Sequence, residues 1–333
     1  MAHQPAKPQI HWHTLMALVG TDIAKAAALL RSNELVAIPT ETVYGLAANA
    51  LNEAAVVKIF DAKNRPAFDP LIVHVASIAE FHAYAEDIPE EALQLAEKVC
   101  PGPVTFILKK KAIIPDLVTS GHPTVGLRVP DHALTLQLLN DLDFPLAAPS
   151  ANPFGYTSPT NAQHVQEQLG DKLNYILDGG ACTVGLESTI IDFSGTEPKV
   201  LRLGGLSLEF IEDTLGKKVA IQTSSSNPQA PGMLISHYNP GKPVLVGAVK
   251  ERMGELSNKR IGILAFKEYV SGIPHENQRI LSPAGDLAEA ACNFFGMLRS
   301  FNALPVDVVI AEWLPDAGLG RAINDRLKRA AAV

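Results

Sequence analysis

Residues 222–243 read QTSSSNPQAPGMLISHYNPGKP, a stretch with four prolines, four serines and two glycines. Proline has no backbone N–H to donate and holds φ near −65°, so this segment suits neither a helix interior nor a central strand. Its composition predicts a semi-stiff connector that divides the chain. A length of 333 residues points the same way, because one globular domain typically holds about 100–200. The expected organisation is a polar tail over 1–20, a first domain over 21–221, the connector over 222–243 and a second domain over 244–333.

The two sides of the connector differ in pattern. Before it, LVAIPT, LIVHVA, VTFILKK, VGLRVP, LAAPS, NYILDGG, STIIDFS and PKVLRLG are short apolar runs punctuated by Gly or Pro, the mark of strands. Helical stretches such as IAKAAALLRSN and NEAAVVKIFDAKN fall between some of them but not all. That irregular order predicts an α+β domain with a mixed, twisted sheet. After the connector, PVLVGAV, RIGILAF and VDVVIAEW alternate with helices at DLAEAACNFFGMLRSFNAL and RAINDRLKRAAA. Alternation of this kind predicts a small α/β domain with a parallel, Rossmann-like sheet. The closing segment GLGRAINDRLKRAA reads first as a solvated amphipathic helix. Docking on the first domain and contact with RNA are the alternatives.

Several classes of protein are disfavoured. No window reaches the roughly 18 apolar residues of a membrane helix, and MAHQPAKPQIHWHT lacks the basic-then-apolar pattern of a secretory leader. Cys100, Cys182 and Cys292 are odd in number and far apart, which predicts reduced thiols in a cytoplasmic protein rather than a disulfide or zinc framework. GxxxxGK[ST], GxGxxG after a strand, HExxH and GxSxG are all absent from the sequence. The charge is uneven: 16 of the 28 basic and 25 of the 35 acidic residues lie in 1–240, a net −9, against +2 for 241–333. A broad polyanion-binding face on the first domain is therefore not expected. A few cations gathered in one cleft would still hold a phosphate, which responds to charge within about 8 Å.

Such cations exist, and they sit at strand ends. Lys63 and Arg65 in KNRP form a candidate phosphate clamp, the lysine a point charge and the arginine a two-pronged fork; solvated surface cations would show the same spacing. Arg128 in TVGLRVP and Arg202 in LRLGG are the other two. An arginine inside a strand must reach a carboxylate or a ligand. His74, within the apolar run LIVHV, needs a buried partner, either structural or in a site. Thr40, Glu41 and Thr42 follow a strand exit, where they could meet a polar ligand or cap a turn. Ser150, Asn152 and Ser158 lie among Gly and Pro, and Ser188 opens STIIDFS.

PTETVYGL, KNRP with PLIVHV, TVGLRVP, PSAN with SPT, DGG with ESTIID, and LRLGG occur in one order. In that order they resemble the YrdC/Sua5 family. The connector and second domain are similar to the longer, Sua5-type members, so the resemblance spans roughly 20–333. It implies a YrdC-like twisted open sheet with a concave cavity. The implied activity is threonylcarbamoyl-AMP synthesis from L-threonine, bicarbonate or CO₂, and ATP, with pyrophosphate released. The product serves tRNA t⁶A37 formation, with tRNA and a threonylcarbamoyl-transferring complex as further partners. A tRNA- or double-stranded-RNA-binding translation factor without chemistry is the competing reading.

Carried over to this sequence, the resemblance implies that Thr42, His74, Arg128, Ala148 and Ser188 contact threonine. It implies that Lys63, Arg65, Asp69, Thr124, Ser150, Asn152, Ser158, Arg202 and His237 contact ATP. Lys63 and Arg65 would carry the catalytic charge, with Mg²⁺ held mainly through the phosphates. The connector would be a lid contributing His237 and Tyr238. Two departures stand out: Leu234 and Ser236 replace residues that are basic in many members, and Asp69 stands where Asn is common. Asp69 would repel phosphate unless it bound Mg²⁺ or paired with Arg65.

Overall fold

A computed structural model describes residues 16–223, 229–233, 237–256 and 258–332. Most of the tail, and Leu234 and Ser236, lie outside the described residues. Among those described, no helix is long and apolar enough to cross a membrane.

The first domain is built on a mixed sheet of twelve strands. From edge to edge it runs through Leu18–Gly20, Tyr175–Leu177, Val36–Ile38, Gly45–Asn49, Leu146–Ala147, Ile72–His74, Thr124–Arg128, Val104–Lys110, Thr189–Asp192, Lys199–Arg202 and Ala220–Ile221. Ala85–Glu86 pairs with Val104–Lys110 off this path. Leu18–Gly20 falls within the stretch read as a tail; its main chain pairs in parallel with Tyr175–Leu177, a long-range contact invisible to local composition. Helix ends follow ordinary capping chemistry. Asp22 accepts from the Lys25 N–H at 3.0 Å to start Ile23–Arg31. Asn64, at φ 50°, ends Glu53–Lys63 in the left-handed conformation asparagine tolerates.

Strand register decides what each face of the sheet carries. Ile72–His74 runs parallel to Thr124–Arg128, with His74 opposite Arg128. Val104–Lys110 runs parallel to Thr189–Asp192, with Thr105 opposite Ile190. Side chains alternate along a strand, so Val73, Phe106, Leu127 and Ile191 point into the main, helix-covered core. Ile72, Ile107 and Ile190 point the other way and meet Leu201, together with Ala230 and Met233 of the connector. Both faces are buried, which is why these strands read as continuous apolar runs instead of alternating ones.

The second domain has four parallel strands in the order Val244–Val246, Val308–Ala311, Ile261–Ala265, Gln278–Ile280. This is the expected α/β architecture, with one short strand, Gln278–Ile280, and one helix, Val249–Glu255, beyond those read from sequence. Helices Leu287–Ser300 and Leu319–Ala330 pack Phe294, Phe295, Leu298, Ile323 and Leu327 into one cluster that also takes Val43 and Leu186 of the first domain and Tyr238 of the connector. The closing helix is therefore not a solvated one. Asn324, Arg326 and Arg329 on it are buried, because its charged face meets carbonyls and carboxylates across the domain junction.

Candidate active site

A cavity of about 50 Å³ lies on the concave face of the large sheet, under the connector. Arg65, His74, Arg128, Ala148, Ser150, Ser188, Arg202 and His237 line it. Eight of the residues singled out from sequence thus converge, although they span from 65 to 237. Val43, Ile72, Pro149, Glu187, Pro231, Gly232 and Tyr238 complete the wall. Pro231, Gly232, His237 and Tyr238 place the connector over this face of the sheet.

At one end, Arg128 donates from Nη2 to the Thr42 hydroxyl at 2.8 Å and pairs with Glu41 Oε1 at 2.7 Å. All three residues are buried. Glu41 Oε2 accepts from the Asp131 N–H at 3.1 Å, which anchors the carboxylate. Arg128 Nε has no partner, so the guanidinium keeps an unused donor. His74 Nδ1 is likewise unpartnered. Burial first, then the Arg128 charge, pushes this imidazole down to about 3, so it is neutral near pH 7.

Elsewhere in the lining, Arg202 donates from Nε to the Ser188 carbonyl at 3.0 Å, from Nη2 to the Ser188 hydroxyl at 3.0 Å, and from Nη1 to the Pro231 carbonyl at 3.2 Å. Its position depends on a β-bulge. Ile191 pairs with Val200 but Ile190 pairs with Arg202, so the extra residue turns both Leu201 and Arg202 toward the concave face. Strict alternation would have hidden one of them in the core. Ser188 is further held by Thr105, hydroxyl to hydroxyl, at 2.7 Å.

Arg65 and Asp69 form a buried pair at 2.9 Å. Arg65 also donates to the carbonyls of Asp69 and Pro70 at 3.1 and 2.9 Å, and lies 5.9 Å from the Phe154 ring centre. Pairing with Arg65 is therefore how Asp69 is accommodated, while its Oδ1 remains unpartnered. Burial raises the Asp69 carboxyl above its ordinary range, against the pull of Arg65, Lys63 and Arg202. Lys63 is deeper than a solvated cation, its ammonium donating to the carbonyls of Ser150 and Asn152. Burial and the Arg65 charge hold it well below the ordinary lysine value.

Residues 28–204 match the family model for Sua5, YciO and YrdC proteins, described as telomere recombination. Residues 206–332 match one described as threonylcarbamoyl-AMP synthase, C-terminal domain. The chain belongs to the Sua5/YrdC family. A relative from Pyrococcus abyssi named threonylcarbamoyl-AMP synthase is 40% identical over 320 residues, 92% of each chain. One of the same name from Bacillus subtilis is 41% identical over 321 residues, 93% of this chain and 92% of that one. The crystal structure of P. abyssi Sua5 complexed with L-threonine superposes with a TM-score of 0.87 at 38% identity, covering 95% of this chain and 98% of that one.

Within this Sua5-family site, four expected contacts stand behind or beside the cavity wall. Thr42 reaches it through Arg128, and Lys63 through the carbonyls it holds. The Asn152 amide donates to the carbonyls of Pro153 and Tyr156, both at 2.9 Å, which shapes the loop. Ser158 donates to Glu187 at 2.6 Å. Thr124 does not join the cavity lining; it shares the concave face with Arg128 but opens the strand four residues earlier.

Two carboxylates are central to the geometry: Glu41, which the sequence places in the polar strand exit beside Thr42, and Glu187, which is not among the contacts expected from sequence. Each sits directly beside an expected one, Thr42 or Ser188, so adjacency is the available signal. Burial pushes Glu187 up, but Arg326, Arg202 and the Ser158 hydroxyl outweigh it and hold the carboxyl at about 2. His237 is packed against the Phe154 and Tyr238 rings at 5.9 and 4.2 Å. Burial leads in lowering it to about 3.

Proposed function

We propose that this Sua5-family chain is an L-threonylcarbamoyladenylate synthase, joining L-threonine, bicarbonate or CO₂, and ATP and releasing pyrophosphate. The observation that carries this reading is one cavity under the connector, lined by an under-used guanidinium, Arg128, and by the cations Arg65 and Arg202. An amino-acid carboxylate matches the first and a polyphosphate the second. Full-length relatives bearing the synthase name give the same direction.

Arg128 binds the threonine carboxylate bidentately, sharing with Glu41 a charge it already neutralises. Thr42, His74 and Ser188 hydrogen-bond the amine and hydroxyl, and Ala148 packs beside them. A site that hydrogen-bonds the hydroxyl rejects analogues lacking it far better than it rejects a changed methyl. The threonine amine attacks CO₂ and loses a proton to give a carbamate; bicarbonate enters the same route by taking up a proton and releasing water. A carbamate oxygen then attacks the α-phosphorus of ATP, and pyrophosphate leaves as the P–O bond to it breaks. Negative charge grows on that leaving group, and Lys63, Arg65 and Arg202 stabilise it. Ser150, Asn152, Ser158, Thr124 and His237 complete the nucleotide's surroundings. Carbamates decompose in water, so a cover over the concave face serves the chemistry.

Mg²⁺ fits this arrangement. It takes one or two carboxylates with substrate phosphates, and the buried Asp69 Oδ1, unpartnered among the described residues, would be one such ligand. When bound it supplies charge neutralisation at the phosphates. Arg65, Arg128, Arg202 and Lys63 are all buried, which favours an enclosed small substrate over an RNA backbone. Three unpaired cysteines fit a reducing, cytoplasmic setting. Downstream, a separate complex transfers the threonylcarbamoyl group to adenosine 37 of ANN-decoding tRNAs.

The test is pyrophosphate release measured with each substrate left out in turn. Release that needs threonine, bicarbonate and ATP together supports the synthase. Release indifferent to threonine overturns it.

A further inference from the structure

The second domain supplies none of the groups that carry the chemistry, yet one of its side chains touches three walls of the cavity from behind. Arg326, on the closing helix Leu319–Ala330, has no exposed side-chain surface. Its Nε and Nη2 donate to Glu187 Oε2 at 3.1 and 3.0 Å. Its Nη1 donates to the Leu203 carbonyl, and to that of Ala322 at 3.3 Å. The guanidinium carbon lies 5.7 Å from the centre of the Tyr238 ring.

Two of these partners, Glu187 and Tyr238, themselves line the cavity, and Leu203 adjoins a third lining residue. Glu187 precedes Ser188, Leu203 follows Arg202, and Tyr238 follows His237. Glu187 also passes the contact on, since its other oxygen, Oε1, accepts from the Ser158 hydroxyl at 2.6 Å. One rigid, planar fork thus sets the orientation of a carboxylate, a strand end and the connector together.

We propose that Arg326 is a positioning residue for the nucleotide half of the site, and that through it the second domain acts on the reaction. The inference rests on the synthase reading above. Adhesion between the domains does not need this ion pair, because Val43 and Leu186 already pack into the second domain's apolar cluster. Buried ion pairs offset their own desolvation poorly, whereas bidentate bonds fix direction. The proposed threonine-carboxylate contact is held by other means, Arg128 by Glu41 and Thr42. Arg326 therefore acts selectively on Ser158, Arg202 and His237.

The test compares full-length wild type with Arg326→Met, Arg326→Lys and the double variant Glu187→Gln/Arg326→Met. The readouts are melting temperature, the KM for ATP, and L-threonine affinity by titration calorimetry. The double variant removes both members of the Arg326–Glu187 pair, so it decides the question if Arg326→Met alone does not fold. The expected result is a double variant that melts near the wild-type temperature, with KM for ATP raised fivefold or more and threonine affinity within twofold. Arg326→Lys keeps the charge but loses the fork, and fails to restore KM. The proposal is overturned by a folded double variant whose KM for ATP rises less than fivefold, or by equal losses for ATP and threonine. Wild type that neither binds ATP nor releases pyrophosphate overturns the synthase reading, and this inference with it. A functional wild type with unaffected variants overturns this inference alone.

Discussion

Arg128 and Glu41 form a buried ion pair at 2.7 Å, 87 residues apart in sequence, at the end of the cavity where the amino acid is expected. Removing either charge alone leaves the other buried without its partner, a loss of about 3–5 kcal/mol. Arg128→Ala should therefore lower both stability and threonine affinity, the latter at least about 100-fold given the strength of bidentate carboxylate pairing. Adding Glu41→Gln should restore stability but not binding. Urea unfolding and calorimetric titration read the two separately. Threonine affinity that survives Arg128→Ala would remove Arg128 from the substrate site.

Arg65 offers the complementary test. Its bonds run to Asp69 and Pro70, away from Arg128. Arg65→Ala should weaken ATP binding about tenfold or more, the scale of a lost charge-assisted contact, while threonine binding stays near wild type. Equal loss of both ligands would mark the residue as structural.

The two buried imidazoles predict acid sensitivity. His74 and His237 are held at about 3, against an ordinary 6.5. Below pH 6.5 the unfolded chain takes up protons that the native state refuses, so stability falls as pH drops toward 3. Between pH 7 and 5 this costs roughly 2 kcal/mol per imidazole at 1.36 kcal/mol per unit. Glu187, held at about 2 against 4.5, adds a further loss as pH falls below 4.5. The melting temperature should be several degrees lower at pH 5 than at pH 7. An unchanged value would mean these imidazoles protonate inside the fold.

Gly185 bears on the domain junction. It adopts φ +74°, and a Cβ there would come within 2.5 Å of Cys292 Cα and 2.7 Å of the Ala291 carbonyl, both main-chain atoms of helix Leu287–Ser300. Gly185→Ala combines left-handed strain of roughly 1–2 kcal/mol with displacement of that helix. Lower thermal stability and faster proteolytic cleavage between the domains are the expected outcomes. Wild-type values for both would show that the junction yields freely.

Much of the molecule is legible in the sequence for reasons that are local. Proline lacks an N–H wherever it stands, so the connector declares itself. The second domain's strand–helix alternation likewise follows from short-range pattern. Ile72–His74 is readable as a strand, but LIVHV cannot say which of its residues faces the main core and which the cavity. Both faces are apolar, and only pairing with Thr124–Arg128 separates Val73 from His74. The closing helix misleads because its charge pattern resembles a solvated face. In the structure the same charges are satisfied by main-chain carbonyls and by Glu187.

The sequence by itself determined most of the elements, the division at the connector, and the presence of a few cations too costly to bury alone. Tertiary structure alone decided their partners: Glu41 for Arg128, Asp69 for Arg65, and Glu187, 139 residues away, for Arg326. The physical reason is range. Residue type sets the desolvation cost of a charge, whereas the attraction that offsets it acts over a few ångströms, between segments that only the folded sheet and the docked second domain bring together.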